Sequence, residues 1–214
     1  MDASTGHNTE RRPRRRRSDG ERSRQAILRE AGQLATVEGI DGLSIGRLAD
    51  AVGMSKSGLF AHFGSKEELQ LATIETAYDL FRDEVIDPAL EAPTGLDRLR
   101  ALTENYLRHI ETAYPGGCFF ASVTAEMDTQ AGAVRDRLVV FFDEWLGLLE
   151  AAVRDAQAEG TIDSAEDPLE LVFELEAFVL LANAQLVVSR EPAVLDRARR
   201  SVDRRISLAV ASAA

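Results

Sequence analysis

The chain has 214 residues, and 45% of them are hydrophobic, which is enough apolar material for one large domain or two small ones. Helix-forming residues dominate, runs of β-branched residues are absent and only six prolines occur, so the composition predicts an all-α fold. The single cysteine, Cys118, excludes an intrachain disulfide and indicates a reducing cytoplasm.

The net charge of −11 is distributed unevenly along the chain. Residues 1–70 carry 12 Arg and Lys against 10 Asp and Glu, whereas residues 71–214 carry 13 against 26. We call residues 1–70 the front and residues 71–214 the body. Contact with nucleic acid is expected only at the mildly basic front, because phosphate repels the acidic body. Solubility alone is a sufficient explanation for most of the acidity of the body.

Membrane insertion is not expected. The N-terminus is polar, and no apolar segment follows its arginine run, so a signal peptide is not predicted. The most apolar stretch, residues 169–188, is interrupted by Glu170, Glu174 and Glu176, whose charges are costly in lipid. We therefore expect a cytoplasmic protein without a membrane partner.

Residues 1–23 form a polar segment with a run of arginines around Pro13. The run consists of Arg11, Arg12, Arg14, Arg15, Arg16 and Arg17. Such a composition predicts disorder in the free protein. Basic arms of this kind reach phosphates or the minor groove when they precede a recognition helix, and are otherwise solvated tails.

A helix over residues 24–38 is followed by two short helices joined by a tight turn. Ser44 is a good N-cap for the first short helix, and Gly53 can adopt the positive φ that ends it. Ser55 then caps the second, in which Leu59 and Phe63 lie four residues apart on one face. This arrangement predicts a helix-turn-helix whose second helix enters the DNA major groove, and it favours DNA contact by the arm.

The next helix begins with a capping box, Ser65-Lys-Glu-Glu68, and is predicted to run to about Ile86, where Pro88 stops it. Its length makes it a connector between the front and the body. Five further helices are predicted over residues 96–113, 118–127, 131–159, 168–189 and 193–213.

Residues 24–77 resemble the DNA-binding domain of TetR-type (tetracycline-repressor-like) transcriptional regulators. The matching strings are Ala-Val-Gly-Met-Ser at 51–55, Leu-Phe-Ala-His-Phe at 59–63 and Gly-Ser-Lys-Glu-Glu-Leu at 64–69. The resemblance implies a three-helix domain over residues 24–70, joined by the long connector to a larger helical ligand-binding and dimerisation domain over 71–214.

The resemblance also implies a function. Family members are homodimers that bind a palindromic double-stranded operator and usually repress transcription. A small molecule enters the C-terminal domain, swings the connector helix and spreads the two recognition helices, which breaks the half-site register. Pairing of the last two helices across the two-fold axis as a four-helix bundle is expected.

Candidate DNA contacts lie in the helix-turn-helix and in the arm. They are Ser44, Arg47, Ser55, Lys56, Ser57, Gly58, Phe60, His62, Lys66, Arg14, Arg15, Arg16 and Arg17. Lys56 and Lys66 are the only lysines of the chain, and each stands at the start of a helix, where a phosphate is favoured. Most relatives have a tyrosine where this chain has Phe60, so a hydroxyl contact to phosphate is missing here.

Plainer explanations stay open for several of these residues. Ser44 and Ser55 have capping roles, although an N-cap at a DNA-facing helix can serve both purposes. His62 resembles the family's phosphate-contacting histidine but also suits a half-buried packing position. Arg47 is equally an ordinary surface arginine.

Candidate ligand-pocket residues lie in the body. They are Tyr106, His109, Cys118, Phe119, Phe120, Phe141, Trp145, Glu176 and Asn183. Glu176 and Asn183 share an apolar stripe, so each either satisfies a buried partner or faces a cavity. For the aromatic residues, core packing is the stronger explanation, and Cys118 without a second cysteine reads as an inert buried thiol.

An enzyme is the competing class. The sequence has no nucleotide-binding glycine loop, no histidine-rich metal spacing and no Ser/His/Asp set, so no catalytic residue, metal site or cofactor is expected. A third hypothesis is a regulator with a collapsed pocket that answers to no small molecule. For a responsive regulator, a partly apolar pocket favours a hydrophobic or aromatic effector.

Overall fold

The computed structural model describes residues 12–127 and 131–211, and it confirms the all-α prediction. The helices are α1 (Arg12–Glu38), α2 (Ile45–Val52), α3 (Lys56–Phe63), α4 (Lys66–Phe81), a π-helical turn (Arg82–Ile86), α5 (Asp87–Leu90), α6 (Gly95–Thr112), α7 (Phe119–Met127), α8 (Ala133–Ala158), α9 (Pro168–Ser189) and α10 (Ala193–Ala209). An isolated β-bridge joins Ile162 to Val210.

The predicted caps of the helix-turn-helix are confirmed. The side chain of Ser44 accepts a hydrogen bond from the backbone N–H of Arg47, and that of Ser55 accepts one from Gly58. Gly53 ends α2 with φ of 67°, a left-handed conformation that glycine adopts without strain. These local signals fix where α2 ends and α3 begins.

The first helix begins much earlier than the sequence predicted. It starts at Arg12 rather than Arg24, so the helix includes part of the segment predicted to be an arm. Proline is tolerated in a first helical turn, where Pro13 lies, and arginine is a good helix former, so the helix extends through the arginine run. The rest of the predicted arm, residues 1–11, lies outside the described residues.

The connector is longer and less regular than predicted. After α4 the chain continues through the π-helical turn into α5, and Pro88 occupies the first turn of α5 rather than stopping the helix at Ile86. Asn105 Nδ2 of α6 donates a hydrogen bond to the carbonyl oxygen of Val85 at 3.1 Å. The π-helical turn is therefore supported from α6.

Two hydrophobic cores share α4. The front core includes Leu48, Leu59 and Phe63, to which α4 adds Leu69. The body core is larger and takes Ile74, Ala77 and Phe81 from the same helix. The connector is thus part of both cores.

A second contact joins the body to the front. The two carboxylate oxygens of Glu126 in α7 accept hydrogen bonds from the backbone N–H groups of Ile40 and Asp41, both at 2.7 Å. Gly116 lies against α1 so closely that a Cβ atom there would be 2.0 Å from the carbonyl oxygen of Thr36. The position of the front therefore depends on α7 as well as on α4.

Helix α9 alone among the described helices is long and apolar enough, by length and composition, to cross a membrane. One such helix is weak evidence for a membrane span, because core helices of soluble proteins pass the same test. Its charged residue Glu176 and its polar residue Asn183 are buried within the protein.

Candidate DNA interface and effector site

The recognition helix α3 has one buried and one exposed face. Leu59 and Phe63 are buried in the front core, while Lys56, Ser57 and Phe60 point to solvent. Phe60 is 55% exposed, so its ring is available to a partner. An exposed ring on a recognition helix suits apolar contact with a thymine methyl group.

Lys56 lies across α2 because a glycine leaves room for it. A Cβ atom at Gly46 would be 3.3 Å from Lys56 Cε. Sequence reasoning missed Gly46, although a glycine inside a short helix is a signal of close approach. A Cβ atom at Gly58 would lie 3.1 Å from Ser55 Oγ, which also accepts the Gly58 N–H at 3.1 Å. The Ser57 hydroxyl is 3.3 Å from Ser55 Oγ.

Two candidate DNA contacts have partners within the protein. Lys66 Nζ donates to the carbonyl oxygen of Asp41 at 2.7 Å and to its carboxylate at 3.0 Å. Arg47 donates two hydrogen bonds to the carboxylate of Glu38. Exposed ion pairs of this kind contribute about 0–1 kcal/mol, so a phosphate can compete for either cation.

Of the remaining DNA candidates, only His62 has a described side chain. His62 is half-buried, with its ring 6.1 Å from that of Phe63, which fits the packing explanation as well as a phosphate contact. The side chains of Arg14, Arg15, Arg16 and Arg17 lie outside what the structure describes. Arg24, which sequence reasoning missed, lies 5.2 Å above the ring of Phe63 and holds α1 against α3.

The candidate pocket residues meet in the body, where all nine are buried. Their aromatic rings surround Phe81, the last residue of α4, which was not among the candidates. The ring of Phe81 lies 5.1 Å from Trp145, 5.2 Å from Tyr106 and 5.5 Å from Phe141. The apolar spacing of Ile74, Ala77 and Phe81 was the available signal. The cluster therefore contacts the connector directly.

Asn183 has a structural role. Its Oδ1 accepts a hydrogen bond at 2.8 Å from the backbone N–H of Cys118, at the start of α7. Burial raises the pKa of Cys118, and Tyr106 donates to its sulfur at 3.3 Å. The thiol is therefore protonated near neutral pH and is a poor nucleophile.

Glu176 differs from Asn183 because one of its buried atoms has no partner. Oε1 of Glu176 and Nε1 of Trp145 both lack a hydrogen bond. Burial raises the pKa of Glu176 to about 7, an effect that the nearby indole N–H of Trp145 opposes. The carboxyl group therefore changes charge within the physiological range of pH.

His109 connects α6 to the π-helical turn. Its Nδ1 lies 2.7 Å from Oε2 of Glu84, and burial lowers its pKa although Glu84 opposes the shift. A cavity of about 260 Å³ opens beside this pair and is lined by Glu84, Asn105, Arg108, His109 and Thr112. A second cavity, of about 430 Å³, lies between the connector and α8.

The outer face of α9 is apolar and exposed. Phe173 is 75% exposed, Val188 is 86% exposed, and Leu169 and Leu181 are more than half exposed. Leu208 of α10 adds a further exposed apolar side chain. Contiguous exposed apolar residues of this kind mark an interaction surface.

Nothing in the described part of the chain resembles a metal centre, since no group of three or more His, Cys, Asp or Glu side chains is arranged to hold an ion. An exposed recognition helix stands at one end, and a buried polar and aromatic cluster stands at the other end of the connector.

Comparison with known proteins agrees with this arrangement. Residues 27–73 match the family model for bacterial regulatory proteins of the tetR family, and residues 95–202 match the model for the tetracyclin repressor-like C-terminal domain. The chain is 24% identical over 181 residues to the HTH-type transcriptional repressor DhaR of Mycobacterium sp. (strain GP1), covering 84% of this chain and 86% of that protein.

Solved structures share the fold. A TetR transcriptional regulator from Chloroflexus aurantiacus superposes with a TM-score of 0.83 at 24% identity, covering 92% of this chain and all of the other. AibR, solved in complex with isovaleryl coenzyme A and operator DNA, superposes with a TM-score of 0.69 at 23% identity, covering 86% and 96%. The C-terminal family model alone spans half of the sequence, so the chain belongs to the TetR family of DNA-binding transcriptional regulators.

Proposed function

We propose that this regulator is a cytoplasmic homodimer that binds a palindromic operator, represses the genes it controls and is released by a small-molecule effector. The observation that carries the proposal is the exposure of Lys56, Ser57 and Phe60 on a recognition helix whose other face is buried. The relative DhaR is named as a repressor, which supports repression here.

The outer face of α9 supports the homodimer. Phe173, Leu181 and Val188 expose apolar surface that burial against a second copy would stabilise at roughly 25 cal/mol per Å². Isologous pairing of α9 and α10 is the symmetric solution, and a two-fold protein matches a two-fold operator.

Contact with DNA is proposed for residues at the front. Lys56, Ser57 and Phe60 face the groove, and Lys66 and Arg47 exchange their acidic partners for phosphates. The backbone N–H groups and caps at Ser44 and Ser55 lie at helix N-termini, which attract phosphate. Arg14, Arg15, Arg16 and Arg17 are proposed as further phosphate contacts because of their positive charge.

Release from DNA would follow from a displacement of the connector, which contacts the aromatic cluster through Phe81 at one end and packs in the front core at the other. An effector among Tyr106, Phe120, Phe141 and Trp145 replaces ring contacts made by Phe81 and so displaces the end of α4. Release requires only that the effector bind the displaced state more tightly than the DNA-bound state. A hydrophobic or aromatic effector suits such a lining.

DNA binding is tested with the protein's own upstream DNA and an excess of unrelated competitor. We expect a complex that survives the competitor, and a Lys56→Ala variant that binds at least about tenfold more weakly. The matched control is Arg154→Ala, an exposed arginine of α8 that pairs with Glu150 four residues earlier. A complex that the competitor abolishes, or equal effects of the two variants, contradicts the proposal.

A further inference from the structure

Two buried polar atoms on different helices lack a hydrogen bond of normal geometry, although the indole N–H of Trp145 is near enough to Glu176 to oppose the rise in its pKa. They are Oε1 of Glu176 on α9 and Nε1 of Trp145 on α8. Glu176 is only 8% exposed, and the described residues provide no arginine or lysine paired with it. A buried carboxylate without a counter-charge is unstable, so it must take up a proton or meet a cation.

The surroundings of Glu176 favour an organic cation. The rings of Phe81, Tyr106 and Trp145 lie 5.1–5.4 Å apart in every pairing, with interplanar angles of 82–88°. Three nearly perpendicular rings form an aromatic corner. The faces of aromatic rings attract ammonium groups, and a neighbouring carboxylate adds a direct charge interaction.

We propose that Glu176, Trp145 and Tyr106 form the binding site of an organic ammonium ion with apolar substituents. The inference rests on the proposed effector-responsive function and names the chemical class of the effector. Residues 71–214 carry twice as many acidic as basic side chains, which raises the local concentration of cations around the body.

The other titratable groups that face Glu176 do not compete for this role. Tyr106 and Cys118 both interact electrostatically with Glu176, and burial raises the pKa of each. Both are therefore neutral near pH 7. Glu176 is the group of this cluster that provides a negative charge to a ligand.

Binding at this site reaches the connector through one residue. Phe81 forms part of the aromatic corner and ends α4. A cation that takes its place against Trp145 and Tyr106 displaces the Phe81 ring, and the π-helical turn that follows absorbs the shift. Occupation of the site is thereby coupled to the recognition helix.

The experiment uses the fluorescence of Trp145, the sole tryptophan of the chain, as a reporter within the site. The DNA-free protein is titrated with alkylammonium ions from butyl to octyl, and in parallel with the primary alcohols of the same lengths. We expect saturable changes with the ammonium ions and at least about tenfold weaker binding of the alcohols. Sodium chloride at matched ionic strength should give no saturable change.

Glu176→Gln tests the charge with little change of shape. Binding of the ammonium ions should weaken at least about tenfold, while the alcohols should change less than about twofold. Glu170→Gln, an exposed position on the same helix, is the matched control. The comparison of ammonium ion with alcohol on the unaltered protein decides the question even when Glu176→Gln fails to fold.

Equal affinities for ammonium ions and alcohols, or no saturable signal from any ammonium ion, overturn the inference. Because the titration contains no DNA, its failure leaves the operator proposal standing. Conversely, ammonium binding by a protein that fails to recognise its upstream DNA would uphold the site and reject the proposed function.

Discussion

The protonation of Glu176 differs between the folded and the unfolded protein. Burial raises its pKa from 4.5 to about 7, so between these values the folded chain holds a proton that the unfolded chain has released. The free energy of unfolding should therefore fall as the pH rises through this window, by up to about 3 kcal/mol.

Urea unfolding at several pH values between 5 and 8, compared with Glu176→Gln, isolates this contribution because other titrating groups cancel in the difference. As the pH rises, the free energy of unfolding of the unaltered protein should fall relative to that of Glu176→Gln. A difference between the two that is independent of pH would contradict the raised pKa of Glu176 in the folded protein.

Lys66 is held by Asp41 in the DNA-free protein. If Lys66 leaves Asp41 for a phosphate, Lys66→Ala should weaken binding to all DNA sequences alike and reduce the salt slope by about one unit per protomer. The measurement is DNA affinity at several salt concentrations, with Arg154→Ala as the control. An unchanged slope removes Lys66 from the footprint and leaves it as a tie to the loop before α2.

Helices were predictable where the deciding signals are local. Ser44, Gly53, Ser55 and Ser65 each act within one turn, and the structure contains all four caps, although the Ser65 N–H donates to Phe63 rather than to Glu68. The π-helical turn was not predictable, because the side chains that support it, Asn105 and His109, lie on another helix and far along the chain.

The contact between α7 and the front gives a prediction at the scale of elements. Glu126→Ala leaves the backbone N–H groups of Ile40 and Asp41 without acceptors, which costs about 1–3 kcal/mol where the group is buried. Amide hydrogen exchange at Ile40 and Asp41 should accelerate. Glu91→Gln, in the exposed turn before α6, should leave both rates unchanged.

Equal exchange rates at Ile40 and Asp41 in Glu126→Ala and in the unaltered protein would show that α7 does not hold this loop. The front would then contact the body through α4 and through the close approach of Gly116 to α1. A local acceleration would instead mean that the body controls the front at two separate points.

At the scale of the whole molecule, the apolar face of α9 carries the prediction. Phe173→Asp places a charge on this face, and we expect the proposed dimer to dissociate at least about thirtyfold more readily. Sedimentation velocity measures the change. Leu90→Asp, an exposed apolar position on α5, is the matched control. A monomeric unaltered protein, or an unchanged dimer in Phe173→Asp, rejects this interface.

The two proposed sites differed in how far the sequence could define them. The buried face of α3 followed from helical periodicity, since Leu59 and Phe63 lie four residues apart, whereas the exposure of Lys56 and Phe60 is visible only in the structure. For the body, periodicity indicated only which residues are buried. Asn183 has a hydrogen-bond partner and Glu176 Oε1 has none. This difference depends on packing between helices that are distant in sequence, so the sequence could not predict it.

The central claim is that a two-fold protein reads a two-fold operator with α3. Footprinting of the purified protein on its own upstream DNA, at low and moderate salt, tests that claim most directly. We predict two protected half-sites related by a palindrome, about 34–36 Å apart or a multiple of that spacing. Diffuse, salt-sensitive protection, or no protection at low salt, would contradict it.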